Sequence, residues 1–90
     1  MTIETQIATC DEGYQRWKDK AISSTDIGQA RKAIERAFFW MELRSAFIFL
    51  HTIEQSKGND RKVKDMLIKA KMNLSKKLSS YVKELMNDIQ

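Results

Sequence analysis

The segment 37–53 constrains the fold more than any other part of this chain, because its apolar residues would surround a helix axis almost completely. Those residues are Ala37, Phe38, Phe39, Trp40, Met41, Leu43, Ala46, Phe47, Ile48, Phe49, Leu50 and Ile53. A helix that is apolar on all sides needs neighbours on all sides, and two other helices of one small chain cover roughly two of its faces. We therefore predict a second copy of the chain against this helix, in a homodimer or higher oligomer.

Six large side chains of this segment are the predicted interface residues. They are Phe38, Trp40, Met41, Phe47, Ile48 and Phe49. Aromatic residues at helical spacing commonly anchor protein interfaces, although they occur still more often in cores. The alternative is that the first helix of the same chain lies across this segment and covers it alone.

Hydrophobic periodicity predicts three helices. A first helix of residues 2–21 follows from an apolar seam that steps by three and four: Ile3, Ile7, Cys10, Tyr14, Trp17 and Ala21. Gly13 inside it is expected to cost about 1 kcal/mol relative to alanine. Asp26 and Gln29 resemble a capping box, so a second helix is predicted over 26–56, ending near Gly58, which suits a C-terminal cap.

The third helix is predicted over 60–89 from one broad apolar stripe. Its members are Val63, Leu67, Ala70, Leu74, Leu78, Tyr81, Val82, Leu85 and Ile89. Because the connection is short, helices 2 and 3 are expected to fold back as a long antiparallel hairpin, with the shorter helix 1 packed on it. With 90 residues, 42% hydrophobic residues and no proline, the prediction is a single all-α domain, 1–90, that assembles into a dimeric bundle.

Several function classes are excluded by composition. Cys10 is the one cysteine and His51 the one histidine, which excludes an intrachain disulfide and leaves too few ligands for a structural zinc site. The three glycines are isolated and do not form a phosphate-binding loop, so no cofactor is predicted. The acidic start and the short uncharged stretches favour a soluble cytoplasmic protein without a membrane segment. Cys10 itself is expected to be a small buried hydrophobe, with contact to its own copy across a two-fold axis as the alternative.

Positive charge is concentrated in the third helix. Residues 57–83 contain nine Lys or Arg and two acids, and Lys62, Lys69, Lys76 and Lys83 recur every seven residues as a row along one side. This row is expected first of all to be a solvated face. It also suits phosphates of a nucleic acid or an acidic protein groove, and both stay open as partners. Few arginines and no aromatic residues accompany the row, which disfavours base recognition.

Arg44 and His51 form the only polar pair that suggests chemistry. They are seven residues apart and so share one side of helix 2, between Trp40 and Phe47. Arginine, six residues, then histidine resembles the signature of HEPN-type ribonucleases. That resemblance, which covers eight residues, implies a helical dimer that cuts RNA without metal, with His51 as acid or base and Arg44 as phosphate clamp. The alternative is structural, with Arg44 paired to a carboxylate such as Glu54, Glu35 or a partner's Glu42.

The sequence therefore favours a small non-catalytic interaction, adaptor or regulatory module that self-associates through helix 2. A further protein partner is expected, but no residue pattern identifies it. Nucleic-acid binding through the lysine row is the second hypothesis, and a metal-independent ribonuclease is the third.

Overall fold

The computed structural model describes residues 2–56 and 61–89, and all of the regular structure in these ranges is α-helical. Helix α1 spans Ile3–Ser23, α2 spans Ile27–Gln55 and α3 spans Arg61–Ile89. The prediction of an all-α chain with three helices is confirmed, and each helix begins and ends within two residues of its predicted bounds. The predicted C-terminal cap at Gly58 lies outside the described residues.

The chain divides into two compact units, Met1–Phe47 and Ile48–Gln90. The first unit contains α1 and most of α2, and the second contains the end of α2 and all of α3. The single domain, the antiparallel pairing of helices 2 and 3 and the dimeric bundle stay predictions.

Short polar side chains define the beginnings of α1 and α2. The Thr2 hydroxyl accepts a hydrogen bond from the Thr5 N–H at 3.2 Å, and the Asp26 carboxylate accepts one from the Gly28 N–H at 3.0 Å. In the three-residue connection, the Asp26 N–H donates to the Ser24 hydroxyl. These bonds satisfy N–H groups that have no partner within the helix. A connection this short forces α2 to turn back along α1.

Within the first unit, α1 and α2 are antiparallel. Asp11 contacts Arg44, Gly13 lies under Trp40, and Trp17 lies against Arg36, so the residue number falls along α2 as it rises along α1. All six predicted seam residues of α1 are buried or half-buried, as the periodicity predicted. On α2 the buried apolar residues of this unit are Ala33, Ala37 and Leu43. The pairing therefore buries one face of α2, and the opposite face remains accessible.

Gly13 is the point of closest approach between these two helices. A Cβ built on Gly13 would overlap Cδ2 of the Trp40 indole, far inside van der Waals contact. The indole thus occupies the space that a side chain would need, and Gly13 is buried beneath it. The intrinsic cost of glycine in a helix is offset here by the packing of the Trp40 indole against the backbone.

In the second unit, the apolar stripe of α3 is narrower than predicted. Half-buried positions step by four and three along the helix: Val63, Leu67, Ala70, Leu74, Lys77, Tyr81 and Leu85. Leu78 and Val82, predicted members of the stripe, are 39% and 51% exposed. A helix that packs through a single seam covers only a narrow strip, so residues at the margins of a broad stripe remain accessible. The side chain of Ile89 lies outside what the structure describes. Leu50 and Ile53 are the buried residues that α2 contributes to this unit.

Replacing Gly13 by alanine is expected to destabilise the protein by about 1 to 3 kcal/mol, because the methyl group displaces the indole, and this exceeds the gain in helix propensity. Urea unfolding followed by circular dichroism measures the change. Gly28→Ala is the matched control, since a Cβ at Gly28 meets only the Asp26 carboxylate at an ordinary 3.5 Å. An unchanged or increased stability of Gly13→Ala would contradict the close approach.

Candidate functional site

An open apolar groove of about 230 Å³ lies between the second half of α1 and the first half of α2. It is lined by Tyr14, Lys18, Ala21, Ile22, Ile34, Ala37 and Phe38. Ala37 is buried and forms the floor, whereas Ile22 and Phe38 are 75% and 61% exposed. The Lys18 ammonium lies 6.0 Å from the centre of the Tyr14 ring, so the one cation of the groove is held over an aromatic face. Such a groove suits an apolar side chain of a protein partner.

The groove forms because apolar residues of α1 and α2 lie beside the line of contact between the two helices as well as within it. On α1 the groove is lined by Tyr14 and Ala21 of the seam and by Ile22 beside it, and on α2 Ile34 and Phe38 lie one turn apart. Two helices in contact leave a furrow along each side of their line of contact, and a third element is needed to fill it. Ile27, near the start of α2, is also 83% exposed.

The six predicted interface residues differ in accessibility. Phe38, Phe49 and Ile48 are exposed, at 61%, 49% and 37%. Met41 and Phe47 are half-buried. Trp40 is also half-buried, and the part of its indole that contacts Gly13 belongs to the packing within the chain. Phe38 is therefore the most accessible of the six, and it lies on the rim of the groove.

Arg44 forms an ion pair with Asp11 of α1, with Nε at 3.1 Å from Oδ1. The sequence predicts a carboxylate partner such as Glu54, Glu35 or a partner's Glu42, and within the chain the carboxylate beside Arg44 is Asp11, which the antiparallel pairing of α1 and α2 brings there. Nε makes no aligned hydrogen bond, so the contact is held by charge. The two side chains are 35% and 56% exposed, and a pair with this accessibility contributes at most about 1 kcal/mol.

His51 is exposed and belongs to the second unit, whereas Arg44 belongs to the first. The contact with Asp11 gives Arg44 a structural role in the first unit. The ribonuclease hypothesis, which assigns both residues to one phosphate, stays a prediction.

Cys10 is completely buried in the first unit, next to the ion pair. Burial raises the pKa of its thiol, and the neighbouring Asp11 raises that pKa further, while Arg44 lowers it. A buried thiol with a raised pKa remains protonated at neutral pH and is a poor nucleophile. Its prediction as a small buried hydrophobe is thus consistent with the position, and the complete burial separates the thiol from the surface of the unit.

On α3 the predicted lysine row is exposed along its whole length. Lys62, Lys69, Lys76 and Lys83 are all accessible.

Sequence reasoning missed a second feature of this helix, a stripe of exposed uncharged residues beside the row. It consists of Ile68, Met72, Ser75, Ser79, Val82 and Met86. These positions also step by four and three, so the pattern is visible in the sequence. The predicted leucine stripe included Val82, however, and left Ile68, Met72 and Met86 unassigned.

Two further properties concern the described residues as a whole. Within 2–56 and 61–89, no group of three or more His, Cys, Asp and Glu side chains is placed to hold a metal ion. None of the three helices, over the part the structure describes, combines the length and apolarity needed to cross a membrane.

Comparison with protein-family models, curated proteins and solved structures finds no match for this chain. The exposed surfaces themselves are therefore the basis for proposing a function.

The raised pKa of Cys10 predicts that the protein loses stability in alkaline solution. The unfolded thiol, with a pKa of about 8.5, ionises before the native thiol does, so rising pH above this value favours the unfolded state. The difference in unfolding free energy between the wild type and Cys10→Ala should be constant below about pH 8 and shrink above it. Urea unfolding from pH 6 to 10 measures it. A constant difference over this range would contradict the assignment.

Proposed function

We propose that this chain is a non-catalytic helical interaction module that self-associates through α2. The observation that carries the proposal is the exposure of Phe38, 61% accessible on the rim of an apolar groove. Full burial of a phenylalanine side chain contributes about 1.5 to 3 kcal/mol. A surface that leaves Phe38 in water therefore gains free energy when a partner covers it.

A second copy of the chain suits this surface because the groove and the projecting ring lie side by side. In a two-fold interface the same patch is used twice, so each copy must offer both a projection and a recess. Phe38 supplies the projection, and the groove between Tyr14 and Ile34 supplies the recess. Two such insertions bury two aromatic rings, which is the kind of contact that dominates interface energies.

Charge does not oppose this pairing. Residues 1–47 contain seven Lys or Arg and seven Asp or Glu, so the first unit carries no formal net charge. Two units without net charge approach each other without net long-range repulsion. Phe49 and Ile48, exposed on the part of α2 in the second unit, are further candidates for the same assembly.

Phe38→Glu is expected to weaken self-association by about tenfold or more, because the interface would bury an unpaired carboxylate. Since the Phe38 side chain is largely exposed, the variant should keep the helical content of the wild type. Sedimentation velocity over a range of micromolar concentrations measures the association. Met66→Glu, at a 48% exposed position of α3, is the control and should self-associate as the wild type does. A wild type that is monomeric throughout this range would overturn the proposal.

Nucleic-acid binding is a second candidate function, supported by the exposed row Lys62, Lys69, Lys76 and Lys83. Residues 48–90 contain nine Lys or Arg and five Asp or Glu, so the second unit carries all of the net charge of +4. Lysines along one side of a helix attract phosphates irrespective of base sequence.

For this candidate, replacing the four lysines by glutamine should weaken binding to DNA or RNA. The slope of log affinity against log salt should flatten by about 0.9 for each phosphate that the variant no longer neutralises. Fluorescence anisotropy with labelled single- and double-stranded oligonucleotides at several salt concentrations gives both quantities. Arg16→Gln with Arg31→Gln, two exposed arginines of the first unit, is the charge control. If the wild type binds no oligonucleotide even at low salt, this candidate fails.

A further inference from the structure

The solvent-facing side of α3 carries a second helical seam, separate from the half-buried one. Its six residues are Ile68, Met72, Ser75, Ser79, Val82 and Met86, and their spacing of four, three, four, three and four is that of the a and d positions of a coiled coil. We call this set the outer seam. All six positions are exposed, with Ile68 at 58%, Met72 and Met86 at 55%, and Val82 at 51%.

Exposure of four large apolar side chains in one row is unusual for a helix that only faces water. Isolated apolar residues on a surface are common, but a row at heptad spacing forms one continuous strip. The outer seam extends over 19 residues of α3, from Ile68 to Met86, and so about 27 Å. That length matches the contact face of a helix of about five turns.

Lysines border the outer seam mainly on one side. Lys69, Lys76 and Lys83 each directly follow a d position and so occupy the e positions of the heptad. The g positions, which directly precede Met72, Ser79 and Met86, are Lys71, Leu78 and Leu85. All four lysines are exposed, and charges at e and g positions select the partner in coiled coils. The lysine row predicted from the sequence is therefore one border of an apolar strip.

This charge pattern disfavours a second copy of α3 as the occupant. In a parallel pair, e positions of one helix meet g positions of the other, and in an antiparallel pair e meets e and g meets g. A parallel pair would place Lys71 beside Lys76 of the second copy, and an antiparallel pair would place the e-position lysines of the two copies along the same border, and each such contact costs free energy. Self-association of the outer seam is thus opposed by charge in both orientations.

Lipid and nucleic acid fit the outer seam less well than a helix does. Helices that lie in a membrane surface present a wide face with large apolar and aromatic residues, whereas this strip is narrow, has no aromatic residue and contains Ser75 and Ser79 at its centre. Phosphate binding uses the lysines alone and leaves Ile68 and Met72 in water. An acidic amphipathic helix buries the strip and brings carboxylates to the lysines that border it.

We propose that the outer seam of α3 binds an acidic amphipathic helix of a second protein, with apolar residues at its own a and d positions and carboxylates at e and g. The serines at the centre leave room for bulkier side chains of that partner. The proposal concerns a different unit from the self-association surface at Phe38, and neither depends on the other.

The test uses the full-length protein and two synthetic four-heptad peptides. Both carry leucine or isoleucine at a and d; one has glutamate at every e and g position, and the other has lysine there. Repulsion between like-charged copies keeps each peptide monomeric and mostly unfolded in isolation. A gain of helix when the peptide is mixed with the protein therefore reports binding. We expect the acidic peptide to bind and gain helical circular dichroism, with affinity that falls as salt rises, and the basic peptide not to bind.

Two matched variants locate the binding site. Met72→Asp places a carboxylate in the outer seam and should weaken binding of the acidic peptide by about tenfold or more, whereas Met66→Asp, a methionine of similar exposure outside the seam, should leave it within about twofold. Both substitutions are at exposed positions of α3, so both variants should fold. Equal effects of the two variants would overturn the proposal.

Charge reversal supplies the reciprocal test. Lys69→Glu with Lys76→Glu should abolish the preference for the acidic peptide and allow the basic peptide to bind, while Arg16→Glu with Arg31→Glu, of equal net charge, should keep the wild-type preference. Vesicles of phosphatidylcholine with phosphatidylserine and a labelled oligonucleotide are tested in parallel. Absence of acidic-peptide binding would overturn the proposal. Binding of vesicles or oligonucleotide that Met72→Asp abolishes, by a protein that does not bind the acidic peptide, would overturn it as well.

Discussion

The contact between the Trp40 indole and the backbone of Gly13 sets how closely α1 and α2 approach in the first unit. Because the ring fills the position of the missing Cβ, the two helices pair at small separation around this point. Cys10, one turn before Gly13, is then completely buried, and Arg44, one turn after Trp40, reaches Asp11. The neighbouring contacts depend on this approach, since a side chain at Gly13 would overlap the indole and require the ring or α1 to shift.

The same pairing determines which surface is left for a partner. Burial of Ala33, Ala37 and Leu43 against α1 occupies one side of α2, and Phe38 consequently faces outward. The apolar residues of α2 were too many for one contact face. The buried and the exposed apolar residues of this part of α2 therefore have one cause in the sequence: α2 is apolar on all sides, and α1 covers only one of them.

The two units differ in charge, and this difference separates their expected partners. The first unit is formally neutral and exposes an aromatic ring beside a recess, which suits an identical surface. In contrast, the second unit carries the net charge of +4, and its outer seam is bordered by lysines, which suits an acidic surface. In the two proposals, charge therefore separates the partners of the two exposed apolar surfaces, and burial of those surfaces would supply the free energy of binding.

Helix number, approximate helix bounds and the seam of α1 could be predicted from the sequence, because periodicity and capping are local properties. The role of Gly13 could not, since the sequence shows the cost of a glycine in a helix but not which side chain lies over it. The Arg44 partner was missed for a similar reason: Asp11 is distant in sequence and adjacent only after α1 and α2 pair. On α3, Leu78 was assigned to the buried stripe on its apolarity, yet Lys77 is half-buried and Leu78 is exposed. Periodicity locates a face of a helix, but only the packing decides its width.

Hydroxyl-radical footprinting at increasing protein concentration tests the central claim, that the neutral apolar surface self-associates and the basic one does not. Oxidation is read by mass spectrometry at Phe38 and at Met72, with Met66 as the internal reference. We predict that Phe38 becomes protected as concentration rises, while Met72 and Met66 stay equally reactive. Protection of Met72, or constant reactivity of Phe38 up to high micromolar concentration, would contradict this claim.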